Sequence, residues 1–392
     1  MPLERCYMYQ NKRIWYKYIV TQDKIGILVH MKGFDPTKPI TLTPLPLPNQ
    51  KIDSVRIWKQ ESVARAAIAE LKGVANIIPN QRILINAIVL QEAKDSSAVE
   101  NIITTQDDLY RAISVTSIKK HNPETKEVLR YREALYKGLE RIKKRGVLTI
   151  NDIITIQNIL GMNDAGIRRT PGTALINERT KEIIYTPPQD PEEINRLMKN
   201  FIEYLNNEED SLIKMAILHY QFESIHPFYD GNGRTGRIIN VLYLILKGYL
   251  ETPILYLSSY LIKNKDDYYR LLLGVTRDKN WEDWILYILK GVEEISKKTI
   301  ERVKKIKDLL DRTIEKVKFE LPRIYSKELI ETLFVNPYCK TEFVVKGVGV
   351  ERKAAARYLH KLAEKGILEL YKVGKENIFI NKGLMDILTE KI

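Results

Sequence analysis

Between Ile225 and Arg237 the chain reads Ile-His-Pro-Phe-Tyr-Asp-Gly-Asn-Gly-Arg-Thr-Gly-Arg. Pro227 disfavours helical backbone in the residue before it, so a helix predicted over 212–225 must stop there. His226 then sits at a helix end, its ring clear of the packed stripe. Phe228 can plug the turn onto the core. Gly231 and Gly233 admit positive φ and carry no Cβ, so backbone N–H groups can approach an anion closely. The next helix is predicted to start around Arg234–Thr235, which aims its free N–H groups and positive end back into the same turn. Arg234 and Arg237 lie one turn apart at that start, where the helix dipole disfavours cations, so they need an anion nearby. A phosphate cradle, an Asp230 carboxylate able to hold Mg²⁺ and an imidazole titrating near neutrality make up the equipment of phosphoryl or nucleotidyl transfer. In that chemistry His226 takes a proton from an incoming hydroxyl, while the cations neutralise developing charge.

Two superficial matches fail. Gly231 to Gly236 spells GxGxxG, but a dinucleotide fold needs a strand immediately before it and here a helix is predicted. A Walker loop needs Gly-Lys-Ser/Thr, which the stretch lacks. The plain alternative is a Gly/Asn-rich helix–helix loop with a surface histidine.

The elements around this turn are mostly helical. Residues 1–35 read as a short β-rich start with IWYKYIV and IGILVHM, followed by a proline-rich extended segment from Pro36 to Pro48 that runs over the helical body. Helical patterns follow over 61–71 and 81–93. From about 129 to 294 comes a succession of amphipathic helices, including 130–145, 150–160, 191–206, 212–225, 235–247, 266–276 and a long one from Trp281 capped by Asn280. Residues 172–186 alternate β-branched and polar residues around Asn-Glu-Arg-Thr-Lys and read as a hairpin. Charged helix continues to about Phe319. Residues 324–392 then read helix, short helix, helix and two-stranded wing, the winged-helix pattern.

Composition bounds the partners. The 392 residues carry 44% hydrophobic side chains and a net charge of +13, which favours acidic or phosphate-bearing partners. From Lys297 onward 22 Lys+Arg stand against 14 Asp+Glu, so most of the surplus lies in the tail. Two cysteines, Cys6 and Cys339, have no neighbours at metal-ligand spacing, which argues against a disulfide framework or a zinc site. The N-terminal residues lack the apolar run of a signal peptide, and the stretch from Ile238 to Leu246 is too short to span a bilayer. A cytoplasmic protein with no membrane contact is the expectation.

HPFYDGNGRTGR resembles the signature HxFx(D/E)GNGRxxR of Fic-domain proteins at every constrained position. The resemblance covers roughly residues 50–295. It implies a mainly α fold: a Fic-type helical bundle with a small β-hairpin flap, preceded by a helical regulatory region. It also implies transfer of AMP from Mg-ATP to Ser, Thr or Tyr hydroxyls of target proteins, with pyrophosphate released. By that likeness His226 is the general base, Asp230 the Mg²⁺ ligand, and Gly231, Asn232 and Gly233 the α/β-phosphate cradle. Arg234 and Arg237 hold the β- and γ-phosphates, and Thr235 and Gly236 complete the ATP-binding turn. Ile183, Ile184 and Tyr185 belong to a flap that pins the target segment by strand-like pairing. Tyr268 and Tyr269, with Thr276, fall where the family shapes its adenine pocket; a helix packing stripe explains them equally well.

Ser96-Ser97-Ala98-Val99-Glu100-Asn101 resembles the inhibitory motif (S/T)xxxE(G/N) of Fic proteins that carry their own inhibitor. The resemblance implies that Glu100, at the end of a short helix, pairs with Arg237 in place of the γ-phosphate, with Ser96 and Asn101 completing the motif. Ser97-x-x-Glu100 is also an ordinary capping box, which is the competing explanation. The expected division is an N-terminal region over 1–125 with the inhibitory helix at about 96–101, a Fic core over 126–295, a helical linker over 296–322 and a winged helix over 323–392. In the last, Ala355, Leu359 and Leu362 face inward and Arg352, Lys353, Arg357 and Lys361 outward. DNA binding through 323–392 and a homodimerisation or target-docking role both remain open. So do protein phosphorylation, hydrolytic removal of AMP and an ATP-sensing transcriptional regulator. Retention of Gly at 233, where a phosphorylating variant has Lys, favours AMP transfer.

Overall fold

A computed structural model describes residues 6–11, 14–21, 24–30, 34–48, 52–114, 122–177, 180–373 and 376–390. The chain opens on an antiparallel meander of β1 (Cys6–Asn11), β2 (Ile14–Thr21) and β3 (Lys24–His30), with Tyr9 opposite Tyr16 and Tyr16 opposite Val29. The first of these strands was not anticipated. The proline-rich segment then crosses the helical body as expected. Leu42, Leu45 and Leu47 are buried, and the Asn200 side chain both accepts from the Leu45 N–H and donates to its carbonyl, each at 2.8 Å. The Ile40 N–H donates to the Thr186 carbonyl at 3.0 Å, which ties the segment to the hairpin.

The helices follow in order: α1 (Val55–Ala75), α2 (Gln81–Val99), α3 (Gln106–Ser114), α4 (Pro123–Arg145) and α5 (Ile150–Gly161). The hairpin β4 (Leu175–Ile176) and β5 (Ile183–Tyr185) interrupts them, shorter than its sequence pattern suggested. Next come α6 (Pro191–Asn206), α7 (Leu212–Ile225), α8 (Asn232–Leu246), α9 (Ser258–Lys263), α10 (Lys265–Asp278) and α11 (Trp281–Glu320). Their starts have local causes. Asn122 with Pro123, Asp190 with Pro191, and Ser211 supply N-caps, Thr149 and Asp152 form a reciprocal capping box, and Asn280 caps α11 as expected.

α7 corrects one expectation. It is not amphipathic: from Leu212 to Phe222 every residue is buried, Lys214, His219 and Gln221 included. It runs through the middle of the bundle, packed against α1, α6, α8 and α11. A helix buried on all sides has no solvent face to pattern.

The forty-residue α11 lies along α1 and carries the chain from the bundle to the tail without a break. The tail comprises α12 (Lys327–Val335), β6 (Tyr338–Cys339), α13 (Thr341–Val348), α14 (Arg352–Glu364), β7 (Glu369–Val373), β8 (Glu376–Ile380) and α15 (Lys382–Thr389). The antiparallel sheet has order β6-β8-β7, with Tyr338 opposite Ile380 and Leu370 opposite Phe379. This is the expected winged helix, with β6 and α15 in addition. Ala355, Leu359 and Leu362 are buried, while Arg352, Lys353, Arg357 and Lys361 are exposed. α12 packs on α2, so the tail touches the helix that ends at Glu100. Among the described residues no helix is long and apolar enough to cross a membrane.

Candidate active site

The turn between α7 and α8 is held open by its own side chains. His226 takes a left-handed conformation, φ 49°, just past the end of α7, and its N–H donates to the Phe222 carbonyl at 3.1 Å. Phe228 is fully buried against Phe222, the plug expected of it. Gly231, φ 75°, precedes α8, which starts at Asn232, two residues before the predicted Arg234. The Asn232 side chain accepts from the Phe228 N–H at 2.9 Å and donates to the Phe228 carbonyl at 2.8 Å. Its amide therefore staples the turn and does not point into a phosphate cradle. Thr235 is fully buried. Gly236 is likewise a packing position. A Cβ there would lie 2.6 Å from Glu223 Oε1 and 3.1 Å from the Phe222 ring, so its glycine lets α7 and α8 approach.

The anion that Arg234 and Arg237 require is Glu100. Arg237, 3% exposed, donates from Nη2 to Glu100 Oε1 at 2.7 Å and from Nε to Ser96 Oγ at 2.7 Å, with the Ser96 carbonyl a further acceptor. Arg234, 2% exposed, donates from Nε to Glu100 Oε2 at 2.7 Å. One carboxylate thus bridges both guanidinium groups, where pairing with Arg237 alone was expected. Burial works against the charge on Arg237, but Glu100, Tyr268 and Glu223 together raise its pKa above the ordinary arginine value. The capping-box alternative fails. Ser97 lies in the last turn of α2 and Glu100 is its C-cap, the wrong helix end for that motif. α2 is also not short, running nineteen residues. Gly233 leaves room for the bridge, because a Cβ there would fall 2.5 Å from Glu100 Oε1.

A cavity of about 730 Å³ opens in front of these groups. Glu100, Asn101, His226, Asp230, Gly231, Asn232, Gly233, Arg234, Arg237, Tyr268, Tyr269 and Ile184 reach it. Thr235, Gly236, Ser96, Ile183, Tyr185 and Thr276 are not among the residues that line it. Burial pushes the His226 imidazole down to about 4. That overturns titration near neutrality: little water reaches the ring to support its charged form. The Glu223 carbonyl, Glu100 and Asp230 work the other way, and Arg168 reinforces the depression.

The flap residues divide. Ile183 and Ile184 are exposed, as is Ile176 on the facing strand. Tyr185 is buried and its hydroxyl donates to the Ser224 carbonyl at 2.6 Å, so it bolts the hairpin to α7 and is not free to meet a target. Tyr268 is 2% exposed, its hydroxyl 3.1 Å from His219 Nε2; Tyr269 is exposed and stacks edge-on against it. Thr276 bonds the Tyr220 hydroxyl at 3.0 Å, away from the cavity.

Four residues at the site carried no sequence signal. Glu127 of α4 pairs with Arg234. Glu223 sits in the cavity wall, where burial pushes its carboxyl up to about 7. Lys265 donates to Asn101 Oδ1 at 2.8 Å. Arg168 reaches the end of α7 from the loop after α5. Each is an ordinary charged residue in the sequence, and only the fold brings it here.

A profile of the Fic/DOC family matches residues 147–244, one of the Fic/DOC family N-terminal region matches 58–140, and one of the C-terminal domain of SoFic-like protein adenylyltransferases matches 309–384. Among curated proteins the chain is similar to protein adenylyltransferase Fic of Nematostella vectensis, at 30% identity over 214 residues, or 50% of this chain and 45% of that protein. It is also similar to protein adenylyltransferase fic-1 of Caenorhabditis elegans, at 33% identity over 134 residues, or 30% of this chain and 25% of that protein. The chain therefore spans less than half the length of these relatives. A solved Fic family protein from Desulfovibrio desulfuricans shares its fold with TM-score 0.53 and 20% identity, covering 88% of this chain and 98% of that one.

Proposed function

The chain belongs to the Fic/DOC family, and from that premise we propose that it transfers AMP from Mg-ATP to a Ser, Thr or Tyr hydroxyl of a target protein. The observation that carries this reading is the Glu100 bridge. Two buried arginines share a carboxylate at the start of a helix, where a triphosphate would meet the same two cations and the helix-start N–H groups of Asn232 and Gly233, while the Gly231 N–H donates to Asp230 Oδ1 at 2.7 Å. In this reading the target hydroxyl oxygen attacks the α-phosphorus, and the bond to the β-phosphate oxygen breaks. The hydroxyl proton passes to His226, and pyrophosphate leaves along Arg234 and Arg237. The depressed imidazole pKa keeps the ring neutral when the hydroxyl arrives, as a proton acceptor must be, and makes it a weaker base than an ordinary histidine.

Asp230 fits a Mg²⁺ ligand. It offers hard oxygens at the cavity edge, and its side chain is 74% exposed, within reach of a bound nucleotide. A Mg²⁺ ion at a nucleotide commonly takes one or two carboxylates and otherwise phosphates and water, a role one exposed aspartate can fill. When bound, the ion would offset charge on the phosphate oxygens. Tyr268 and Tyr269 would flank the adenine, and Ile183 and Ile184 would offer the strand edge for the target.

Glu100 acts as a brake in this reading, holding both arginines away from the phosphates. An arginine bridge shielded from water favours the off-state by about 3 kcal/mol, a factor of about a hundred. The test uses Glu100→Gly protein with ATP labelled at either the α- or the γ-phosphate, mixed with a cell lysate. Label from the α-position alone on protein, with pyrophosphate released, is the expected result. Label from the γ-position would mean phosphorylation, and no label from either would reject transfer. For the tail, the exposed Lys353, Arg357 and Lys361 on α14 suit a docking partner or a phosphate backbone alike, and a salt-dependent shift of duplex DNA would single out the second.

A further inference from the structure

Arg168 is fully buried, and among the described residues its charge partners are the tyrosines Tyr185 and Tyr229, with no carboxylate. An isolated buried cation is costly unless other groups replace water around it. Here those groups are backbone carbonyls, which satisfy Nε and Nη2 and leave Nη1 buried without a hydrogen-bond partner. Nε donates to the His226 carbonyl at 2.8 Å, and Nη2 donates to the carbonyls of Ile225, at 3.4 Å, and Pro188. Two of these three acceptors lie at the carboxyl end of α7, which leaves its last carbonyls unsatisfied and carries the negative end of the helix dipole. The Arg168 N–H also donates to the Pro227 carbonyl at 2.9 Å. The same loop is fastened a second time, since the Tyr229 hydroxyl accepts from the N–H groups of Arg169, at 2.9 Å, and Thr170, at 3.3 Å.

These contacts converge on one residue with an unfavourable backbone. A left-handed conformation costs a non-glycine residue about 1–2 kcal/mol, and His226 adopts it with φ 49°. The carbonyls on both sides of it, those of Ile225 and His226, and the next one, of Pro227, are all held by Arg168. With those peptide planes fixed, so is the direction in which the imidazole leaves the backbone.

We propose that Arg168 is a positioning residue for His226, gripping the end of α7 so that the imidazole is held against the cavity. The inference rests on the reading of His226 as the base. The charged groups facing the ring are Arg168 from the loop after α5, Glu100 from α2 and Asp230 from the α7–α8 turn, and the Glu223 carbonyl faces it from α7. Of these Arg168 alone disfavours the imidazolium. Its planar fork donates from two separate nitrogens, Nε and Nη2, a fixed spread that the single ammonium nitrogen of a lysine does not reproduce.

The test is made in Glu100→Gly protein, by transfer kinetics and by NMR titration of the His226 imidazole without nucleotide. Arg168→Gln should raise the His226 titration by about one pH unit and lower kcat by about ten- to a hundredfold, with the KM for ATP changed less than about threefold. Arg168→Lys keeps the cation and loses the fork, so the titration should stay low while kcat still falls. If Arg168→Gln folds poorly, Arg168→Ala is titrated with and without guanidinium ion, which should return both the low titration and part of kcat. An unmoved titration with kcat per folded molecule unchanged would overturn the proposal. So would guanidinium that restores the fold without lowering the titration. Should the Glu100→Gly parent transfer no AMP, the base reading falls, while the titration alone still decides whether Arg168 places the imidazole.

Discussion

Two helices end at one cavity, α7 with His226 and α2 with Glu100, and they are held there by different means. The end of α7 is held by backbone: the Phe222 carbonyl accepts the His226 N–H, and Arg168 grips the carbonyls that follow. The carboxylate at the end of α2 is held by two arginine side chains, and Asn101, φ 63°, adds one contact with Lys265. No nucleotide can replace the first set of contacts, because it is made inside the fold. The second set is made of cations that a triphosphate would recruit. A base must stay in place and a brake must come off, and the two ends differ in that sense.

The comparison breaks most sharply at the base. His226→Ala should lower transfer by about a thousandfold in Glu100→Gly protein and leave thermal unfolding unchanged, as measured by α-label incorporation and a melting curve. The opposite end is next. Glu100→Gly should raise transfer and self-modification by about a hundredfold with the fold intact; unchanged labelling would mean that the arginine bridge restrains nothing. Gly236→Ala separates packing from chemistry. Its Cβ meets Glu223 and the Phe222 ring, so it should destabilise by about 1–3 kcal/mol in urea unfolding. The pH profile sharpens the base end. With its pKa lowered to about 4, His226 is neutral above that value, so kcat in Glu100→Gly protein should hold as pH falls through 6.5. A rate that halves near 6.5 would mean the ring is wetter than the structure has it. The smallest effect belongs to Asn101→Gly. It keeps the left-handed backbone and loses only the Lys265 contact, so the brake should weaken by about two- to fivefold.

How much could be read beforehand follows the same division. The α7–α8 turn was legible because phosphate chemistry needs particular residue types at adjacent positions, and local geometry then leaves few ways to arrange them. Even there the start of α8 was placed late. Gly231-Asn232-Gly233 reads as loop, but the Asn232 side chain closes on Phe228 and lets the helix begin at once. α2 was read as ending near residue 93, because Ser96 and Ser97 look like a solvent face. They are buried, with Ser96 against Arg237, so the polarity of that helix end serves the site and breaks the period. Glu127, Glu223 and Arg168 were illegible for a simpler reason. A lone charged residue in a helix or loop has no pattern, and the partners of Arg168 and Glu127 lie 20 to 107 positions away. In the tail, α14 was legible by its period, whereas the two-residue β6 and the terminal α15 had too little length to show one.

The central claim is that Glu100 stands where the end of a triphosphate would lie, with the imidazole facing the first phosphorus. A crystal structure of Glu100→Gly, His226→Ala protein grown with Mg-ATP tests it directly. The expected result is terminal phosphates on Arg234 and Arg237, the cation against Asp230, and the α-phosphorus in front of position 226. Nucleotide bound elsewhere, or with its α-phosphorus turned from position 226 toward the helix interior, would contradict the account.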